Sequence, residues 1–218
     1  MLPYIIVPFY NGSASLHGFL ERINRKWMKQ LVFVDDGSAD NIFEQLKNIN
    51  CKSLKHAQNL GKGAAIMTAV DWIVNNGGES AITIDIDLQH PPEFLDTYCQ
   101  IPNETILLGY RNNRQKMPLL RQFSNFITSL LISIRSCAVI KDSQCGYRSF
   151  NTNIFSKIQC YEKGFQFESE FLIKASIVGW KINHISIPTI YNGEPSAMRN
   201  VGDTVKFIKM WFMSFLWT

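Results

Sequence analysis

Short apolar runs alternate with amphipathic stretches over most of the chain. The runs at 4–7 and 31–34 are apolar and end in polar turns, which is typical of buried β-strands. Between them, apolar residues recur at helical spacing from Leu16 to Ile23. The same pattern predicts further strands at 53–56, 81–87, 106–108 and 181–187. It predicts further helices at 42–49, 64–74, 92–98, 119–134 and 167–178.

This alternation of strands and helices predicts the α/β class, with a mainly parallel sheet flanked by helices. A length of 218 residues fits one domain of this kind. No internal repeat, low-complexity stretch or linker interrupts the pattern. We therefore expect one domain.

Composition narrows the class of protein. Hydrophobic residues make up 46% of the chain and charged residues 18%, which excludes a disordered tail and a coiled coil. The net charge of +4 comes from scattered Lys and Arg, so no nucleic-acid partner is expected. The five cysteines form no C-x-x-C pair, and we expect reduced thiols in a cytosolic compartment. No secretion signal and no run of about 20 apolar residues is present in the sequence.

Acidic side chains follow two of the predicted strands. Asp35 and Asp36 end one strand, and Asp85 and Asp87 end another. We expect the second pair to project from the same face of its strand and to reach one cation together, because side chains alternate along a strand. Carboxylate oxygens suit Mg²⁺ or Mn²⁺. A solvated strand end, or carboxylates that cap neighbouring amides, is the structural alternative.

A glycine-flanked lysine, 61–63 (GKG), precedes a predicted helix. Free amides and partial positive charge at a helix N-terminus make an anion site there plausible, and a tight turn is the alternative. The spacing is not that of a Walker A loop. The sequence also lacks G-x-G-x-x-G and G-x-S-x-G, which argues against a dinucleotide oxidoreductase and an α/β hydrolase.

The order of several segments carries a resemblance to a known family. The segments are 7–11 (VPFYN), 34–38 (VDDGS), 59–63 (NLGKG), 85–93 (DIDLQHPPE), 109–111 (GYR), 142–148 (DSQCGYR) and 164–170 (GFQFESE). In this order they resemble family 2 glycosyltransferases of the GT-A fold. The block at 85–93 is especially similar to the polyprenyl-phosphate group, which includes dolichyl-phosphate mannose and glucose synthases. The resemblance covers nearly the whole chain and implies a single GT-A domain with a Rossmann-like sheet.

The resemblance implies a role for each matching residue. It places donor binding in residues 1–110 and acceptor binding in residues 111–203. The residues that would bind the donor nucleotide are Pro8, Tyr10, Asn11, Asp35, Asp36, Gly61, Lys62 and Asp85. The residues that would hold a Mg²⁺ or Mn²⁺ ion are Asp85, Asp87 and Gln89, with Asp87 as the direct ligand. The residues that would contact an acceptor phosphate are Arg111, Arg121, Arg148 and Arg199.

Two departures from the family pattern bear on these roles. The middle position of the Asp-x-Asp motif is usually small, and here it is Ile86. A later block that usually reads Ser-His-Phe-Arg has Ala197 and Met198 in place of the His and Phe. The second departure concerns the acceptor more than the donor.

The acceptor decides which catalytic groups are needed. A polyprenyl phosphate is already an anion and attacks unaided, whereas a sugar hydroxyl needs a general base. The candidate catalytic residues are Asp87, which would bind metal, and Asp142, Glu168 and Glu170, which could act as the base. The leading hypothesis is an inverting, metal-dependent transfer of a sugar from a UDP- or GDP-sugar to polyprenyl phosphate. The alternatives are transfer to a sugar hydroxyl in polysaccharide or glycolipid synthesis, and a catalytically silent nucleotide-sugar binding partner.

The last residues, 204–218, form an apolar stretch with five aromatic residues, all Phe or Trp, and with Lys206 and Lys209 near its start. We expect an amphipathic helix, too short to span a membrane, that suits the membrane interface. The alternative is a helix that packs on the domain or on a second subunit, so a homo-oligomer stays open. The expected location is the cytoplasmic face of a membrane, by peripheral association.

Overall fold

A seven-stranded mixed sheet forms the centre of the protein. The computed structural model describes residues 2–112, 117–188 and 201–217. The strands are β1 (Tyr4–Phe9), β2 (Leu31–Asp35), β3 (Lys52–Lys55), β4 (Ser80–Thr83), β5 (Thr105–Arg111), β6 (Arg148–Asn151) and β7 (Lys181–Ile187). Their order across the sheet is β3-β2-β1-β4-β6-β5-β7. Only β6 runs antiparallel to its neighbours β4 and β5 among the described strands; the other pairings are parallel.

Helices cover both faces of this sheet. They are α1 (Ser13–Arg22), α2 (Ile42–Leu46), α3 (Lys62–Asn75), α4 (Leu119–Ser136), α5 (Gln166–Ile177) and α6 (Val201–Met213). Short 3₁₀ turns lie at Arg25–Gln30, Pro92–Tyr98, Thr152–Ser156 and Ser214–Leu216. The α/β class and the mainly parallel sheet expected from the sequence are confirmed.

Two apolar clusters, one on each face, hold the layers together. Because successive strand residues point to opposite faces, Ile5 joins the cluster with α1 and α2, while its neighbour Ile6 joins the cluster with α3 and α5. Val32 and Phe33 of β2 divide in the same way. Strands buried on both faces read as continuous apolar runs, which explains the pattern at 4–7 and 31–34.

The chain order places a crevice beside β1. From β1 the chain moves outward to β2 and β3, and then returns to β4 on the other side of β1. In open α/β sheets, ligands bind at such a switch point, outside the carboxyl ends of the strands. The segments after β1, β2 and β4 therefore meet at one place.

Three sequence expectations differ from the structure. Strand β4 ends at Thr83, so Asp85 and Asp87 lie in the following turn, and the prediction that they share a strand face is wrong. Further along the same segment, Leu88 adopts a positive φ of 61°. Strand β6 was not predicted, and α2 ends at Leu46. The domain divisions at 110/111 and 203/204 stay predictions, although α6 begins before the second of them.

Candidate active site

A cavity of about 730 Å³ opens at the carboxyl ends of β1 and β2 and beside the turn after β4. Of the residues predicted to bind donor or metal, it is lined by Pro8, Tyr10, Asp36, Gly61, Lys62, Asp85 and Asp87. Asn11, Asp35 and Gln89 are not among the lining residues. The structure therefore brings together residues from four separate sequence motifs. Their individual roles stay predictions.

Asp36 builds one side of the cavity. Its carboxylate accepts hydrogen bonds from the backbone amides of Leu60 and Gly61, both at 2.8 Å, and it pairs with His56 Nδ1 at 2.8 Å. Its neighbour Asp35 is fully buried, accepts from the amide of Ser38 at 2.7 Å and lies 3.3 Å from Lys55 Nζ. Asp36 thus holds the loop before α3 against β2.

The glycines around Lys62 let two loops approach each other closely. Gly61 has a φ of 104°, and a Cβ there would lie 2.4 Å from the carbonyl oxygen of Lys163. A Cβ at Gly63 would lie 2.5 Å from the side chain of Phe167. Helix α3 begins at Lys62, so its N-terminus and the lysine ammonium both add positive charge at the cavity.

The ammonium group of Lys62 bridges two carboxylates in the cavity wall. Its Nζ atom lies 2.6 Å from Asp85 Oδ1 and 2.9 Å from Glu168 Oε1. Burial alone would lower the pKa of Lys62, but the charges of Asp85 and Glu168 outweigh burial and raise it. Burial would likewise raise the pKa of Asp85, and the charge of Lys62 outweighs it, so the pKa is lowered. The Lys62 ammonium is therefore held as a cation between the two carboxyl groups.

The Asp-x-Asp turn has the ligand chemistry for a divalent ion. Asp87 Oδ1 accepts a hydrogen bond from the amide of Gln89 at 3.0 Å, and Asp85 packs so closely on Gly146 that a Cβ there would lie 2.3 Å from its Oδ2. The described residues contain no group of three or more His, Cys, Asp and Glu side chains that could hold a metal. Two carboxylates fit a Mg²⁺-type site that substrate phosphates complete.

His90 is buried beneath this turn rather than presented to the cavity. Burial lowers its pKa to about 4, so the imidazole is neutral at neutral pH. Its Nε2 lies 3.5 Å from Sγ of Cys145, and burial raises the pKa of that thiol to about 12. A neutral thiol beside a neutral imidazole is not an activated nucleophile.

The three carboxylates predicted as general bases already accept hydrogen bonds or form ion pairs. The carboxylate of Asp142 accepts hydrogen bonds from Nε and Nη2 of Arg111, at 2.7 and 2.8 Å. Glu168 pairs with Lys62, and Glu170 accepts from the amides of Tyr161 and Glu162 and from Lys174, at 2.6–3.0 Å. All three carboxylates are buried. Their geometry is that of structural anchors, and their catalytic roles stay predictions.

The predicted phosphate-binding arginines do not line the cavity in the described part of the chain. Arg111 is buried in its pair with Asp142, and Arg148 donates to the carbonyls of three residues, Ser143, Cys145 and Glu168. Arg121 lies in the first turn of α4. Arg199 lies outside the described residues.

Part of the cavity wall is formed by residues that the sequence motifs did not predict. The loop before α5 contributes Glu162 and Lys163, and α6 contributes Asp203 and Lys206. Burial and the charge of Glu170 raise the pKa of Glu162. No local sequence signal marks these residues, because only the packing of α5 and α6 brings them to the motifs at the strand ends.

Comparisons with known proteins agree with this arrangement. Residues 4–99 match the family model described as glycosyl transferase family 2. The UDP-N-acetylglucosamine–dolichyl-phosphate N-acetylglucosaminyltransferase of Methanococcus voltae is 28% identical over 94% of this chain and 92% of that protein. The undecaprenyl-phosphate 4-deoxy-4-formamido-L-arabinose transferase of Pectobacterium carotovorum is 30% identical over 73% of this chain. That alignment spans about half, 52%, of the Pectobacterium protein.

Solved structures share the fold. Glucosyl-3-phosphoglycerate synthase from Mycobacterium tuberculosis, crystallised with Mg²⁺ and UDP, superposes with a TM-score of 0.70 at 13% identity. The superposition covers 99% of this chain and 78% of the mycobacterial chain. A second structure of that enzyme, with Mn²⁺, UDP and phosphoglyceric acid, gives a TM-score of 0.69. These neighbours confirm the expected GT-A fold.

Proposed function

The chain belongs to the family 2 glycosyltransferases, and from that premise we propose that it transfers a sugar from a nucleotide-sugar donor to a polyprenyl phosphate. The donor's nucleoside diphosphate would occupy the cavity at the carboxyl ends of β1 and β2. Asp36 and the loop that it holds line the end near β2, while Lys62 and Asp87 line the end near β4. The positive N-terminus of α3 favours a bound diphosphate.

A divalent ion fits this proposal through the Asp-x-Asp turn, where Asp85 and Asp87 both line the cavity, while Gln89, the third predicted ligand, is not among the lining residues. When bound, Mg²⁺ or Mn²⁺ would stabilise the negative charge that grows on the leaving diphosphate. The chain itself would orient the diphosphate through Lys62 and the α3 amides. Attack from the side opposite the leaving group would invert the anomeric centre.

The state of the candidate bases favours a phosphate acceptor. Asp142, Glu168 and Glu170 hold cations or backbone amides, so none presents an open carboxylate to a sugar hydroxyl. A lipid phosphate needs no proton removed at neutral pH. The relatives named as dolichyl-phosphate and undecaprenyl-phosphate transferases support the same acceptor class.

The observation that carries the lipid acceptor is an exposed apolar surface joined to the cavity wall. We call it the α4–α6 surface. On α4 it comprises Leu119, Leu120, Phe123, Phe126, Ile127, Leu130 and Ile134, and on α6 and the turn after it Val205, Ile208, Phe212, Met213, Phe215 and Leu216. Leu119 and Leu120 are each more than 80% exposed. Apolar surface of this extent marks an interaction site in a protein that is otherwise normally packed.

Helix α6 connects this surface to the donor cavity. Its first turns contribute Asp203 and Lys206 to the cavity wall. Its far end packs on α4, where Trp211 Nε1 donates to the carbonyl of Leu131 at 2.8 Å and Arg135 Nε donates to that of Ser214 at 3.0 Å. A lipid acceptor lying along the α4–α6 surface would therefore be close to the donor. We propose that this surface docks on a membrane.

Two alternatives were expected for the C-terminal helix, binding to the membrane interface and packing on the domain, and they apply to different faces of α6. Phe207 and Met210 face the core and pack on the domain, whereas Ile208 and Phe212 face away from it. No helix in the described part of the chain is long and apolar enough to cross a bilayer. Peripheral docking on a membrane and a cytoplasmic location both stay proposals.

The proposed function is tested by supplying acceptors of both classes. The enzyme is first screened with UDP, GDP, CDP and dTDP by thermal shift with Mn²⁺, because a ligand that binds the folded state raises its melting temperature. The corresponding nucleotide-sugars are then offered with undecaprenyl or dolichyl phosphate, or with glycans that have free hydroxyls. We expect a sugar-phosphate lipid as product. Transfer only to a glycan hydroxyl would overturn the proposal.

Charge placed on the α4–α6 surface should weaken membrane binding. A Phe123→Asp/Phe126→Asp variant is expected to bind vesicles of phosphatidylcholine and phosphatidylglycerol at least about tenfold more weakly, since each buried phenylalanine contributes about 1.5–3 kcal/mol. Co-sedimentation measures the change. Ser124→Asp adds one negative charge to α4, half of that in the double variant, at an exposed position between these residues in sequence but outside the apolar set, and should have less than half the effect on the free energy of membrane binding. Equal losses in both variants would contradict an apolar docking surface.

A further inference from the structure

His56 lies directly after β3 and reaches the acidic end of β2. Its Nδ1 atom lies 2.8 Å from Asp36 Oδ1, and its Nε2 atom lies 2.9 Å from the hydroxyl oxygen of Thr68 in α3. The side chains of His56 and Asp36 are only 9% and 5% exposed. The backbone amide of His56 also donates to the carbonyl of Asp35 at 2.9 Å. One buried imidazole therefore connects β3, β2 and α3.

The partners of this imidazole indicate which of its nitrogens carries the hydrogen. A carboxylate oxygen can only accept, so Nδ1 donates to Asp36. In a neutral imidazole the other nitrogen, Nε2, is then an acceptor. The Thr68 hydroxyl opposite Nε2 forms no other hydrogen bond in the described part of the chain, so its hydrogen is available for this contact. The hydrogen bonds therefore run in one direction, from Thr68 through His56 to Asp36.

Asp36 has one acceptor position that no described residue uses. Its Oδ1 accepts from His56 and from the amide of Leu60, and its Oδ2 accepts from the amide of Gly61. An ionised carboxylate offers about four acceptor positions, so one is left at Oδ2. Because Asp36 lines the cavity, this position can accept from an N–H or O–H group of a bound nucleotide. His56 is the side-chain donor among the three partners, and both amides belong to the loop before α3.

We propose that His56 is a positioning residue for the donor site: held at Nε2 by Thr68, it keeps the Asp36 carboxylate in the orientation that accepts a hydrogen bond from the donor nucleotide. The inference rests on the proposed function and deepens it. His56 is not among the residues that line the cavity, so it would act only through Asp36. Asp36 lies at the end of the cavity near β2, away from the end near β4 where the diphosphate would react. Loss of His56 should therefore weaken nucleotide binding more than it slows transfer.

Two replacements of His56 should have different effects on nucleotide binding. His56→Leu removes both hydrogen bonds and keeps an apolar side chain of substantial volume. The dissociation constant of the nucleotide that gives the largest thermal shift, measured by calorimetry with Mn²⁺, should rise about tenfold. The kcat of sugar transfer should change less than about threefold. His56→Asn places an amide N–H near the position of Nδ1 and should recover most of the lost affinity.

Thr68→Val tests the same inference if His56→Leu does not fold. It removes only the hydroxyl on the far side of the imidazole and should raise the same dissociation constant about threefold. Nitrogen NMR of the wild-type protein should show a hydrogen on Nδ1 of His56 and none on Nε2. His184→Asn is the control, because its Nε2 accepts from the amide of Lys141 at 3.2 Å outside the cavity. This control should leave nucleotide affinity within about twofold of wild type.

Two results would overturn the role of His56. One is a His56→Asn protein that binds the nucleotide no better than His56→Leu, as expected if the imidazole only fills space. The other is a hydrogen on Nε2 of the wild-type imidazole, because Thr68 would then not hold the ring as proposed. Nucleotide binding is measured without an acceptor, so transfer only to a glycan hydroxyl would overturn the proposed acceptor and leave the role of His56 standing. Wild-type protein that binds none of the four nucleotides would overturn both.

Discussion

An Asp87→Asn variant is expected to lose about 1,000-fold in sugar transfer while it keeps the wild-type fold. The carboxylate lies in the turn after β4 and lines the cavity, outside both apolar clusters. Removing it would leave the diphosphate without the ion that stabilises its growing charge. The initial rate of sugar-lipid formation at saturating donor, together with the thermal shift by nucleotide and Mn²⁺, measures the loss.

Asp71→Asn is a suitable control for this experiment. Asp71 lies on the exposed side of α3, far along the helix from Lys62, so the change in charge is the same but is made outside the cavity. It should leave both transfer and thermal shift within about twofold of wild type. If Asp87→Asn retained metal-dependent nucleotide binding and most of its activity, the metal role assigned to the Asp-x-Asp turn would be wrong.

The second large effect is expected in stability, from the ion pair of Arg111 and Asp142. Both side chains are almost fully buried, and the guanidinium donates to both carboxylate oxygens. Arg111→Met takes the guanidinium away from a fully buried carboxylate, which lowers the free energy of unfolding by about 3–5 kcal/mol. Urea unfolding followed by circular dichroism measures this change.

A double variant shows whether the pair itself is the cause. Arg111→Met/Asp142→Leu removes both charges and should recover a large part of the lost stability, because an apolar pair of similar volume can replace a buried ion pair. The same variants test the predicted phosphate-binding role of Arg111. If Arg111→Met unfolds at the same urea concentration as wild type but binds polyprenyl phosphate more weakly, the guanidinium serves the acceptor and not the fold.

Local patterns in the sequence were sufficient to predict that the fold has a sheet with helices packed on it. The apolar runs of β1 and β2 could be recognised because strands buried on both faces need apolar residues at every position. Strand β6 could not, because RSFN is short and polar at both ends, and it becomes a strand only through pairing with β4 and β5. Its direction also depends on these partners, which lie far away in sequence.

The motifs at the donor end of the cavity could also be recognised from short stretches of sequence. Gly61, Lys62 and the Asp-x-Asp turn each lie within a few residues of a strand end or helix start, so their spacing could be read from the chain. The prediction that Asp85 and Asp87 share one face of a strand was wrong because β4 ends at Thr83. Strand length depends on the neighbouring strands, and β1 pairs with β4 over three residues only.

The sequence by itself thus determined the α/β class, the family resemblance and the motifs that meet at the carboxyl ends of the strands, because these depend on periodicity and on short-range spacing. Only the tertiary structure decided which charges neutralise one another. Lys62 meets Glu168, and Arg111 meets Asp142, across 106 and 31 residues of chain. It also decided that α6 lines the cavity with one end and meets α4 with the other. These contacts depend on how helices pack across the sheet, and no local pattern of residues encodes that packing.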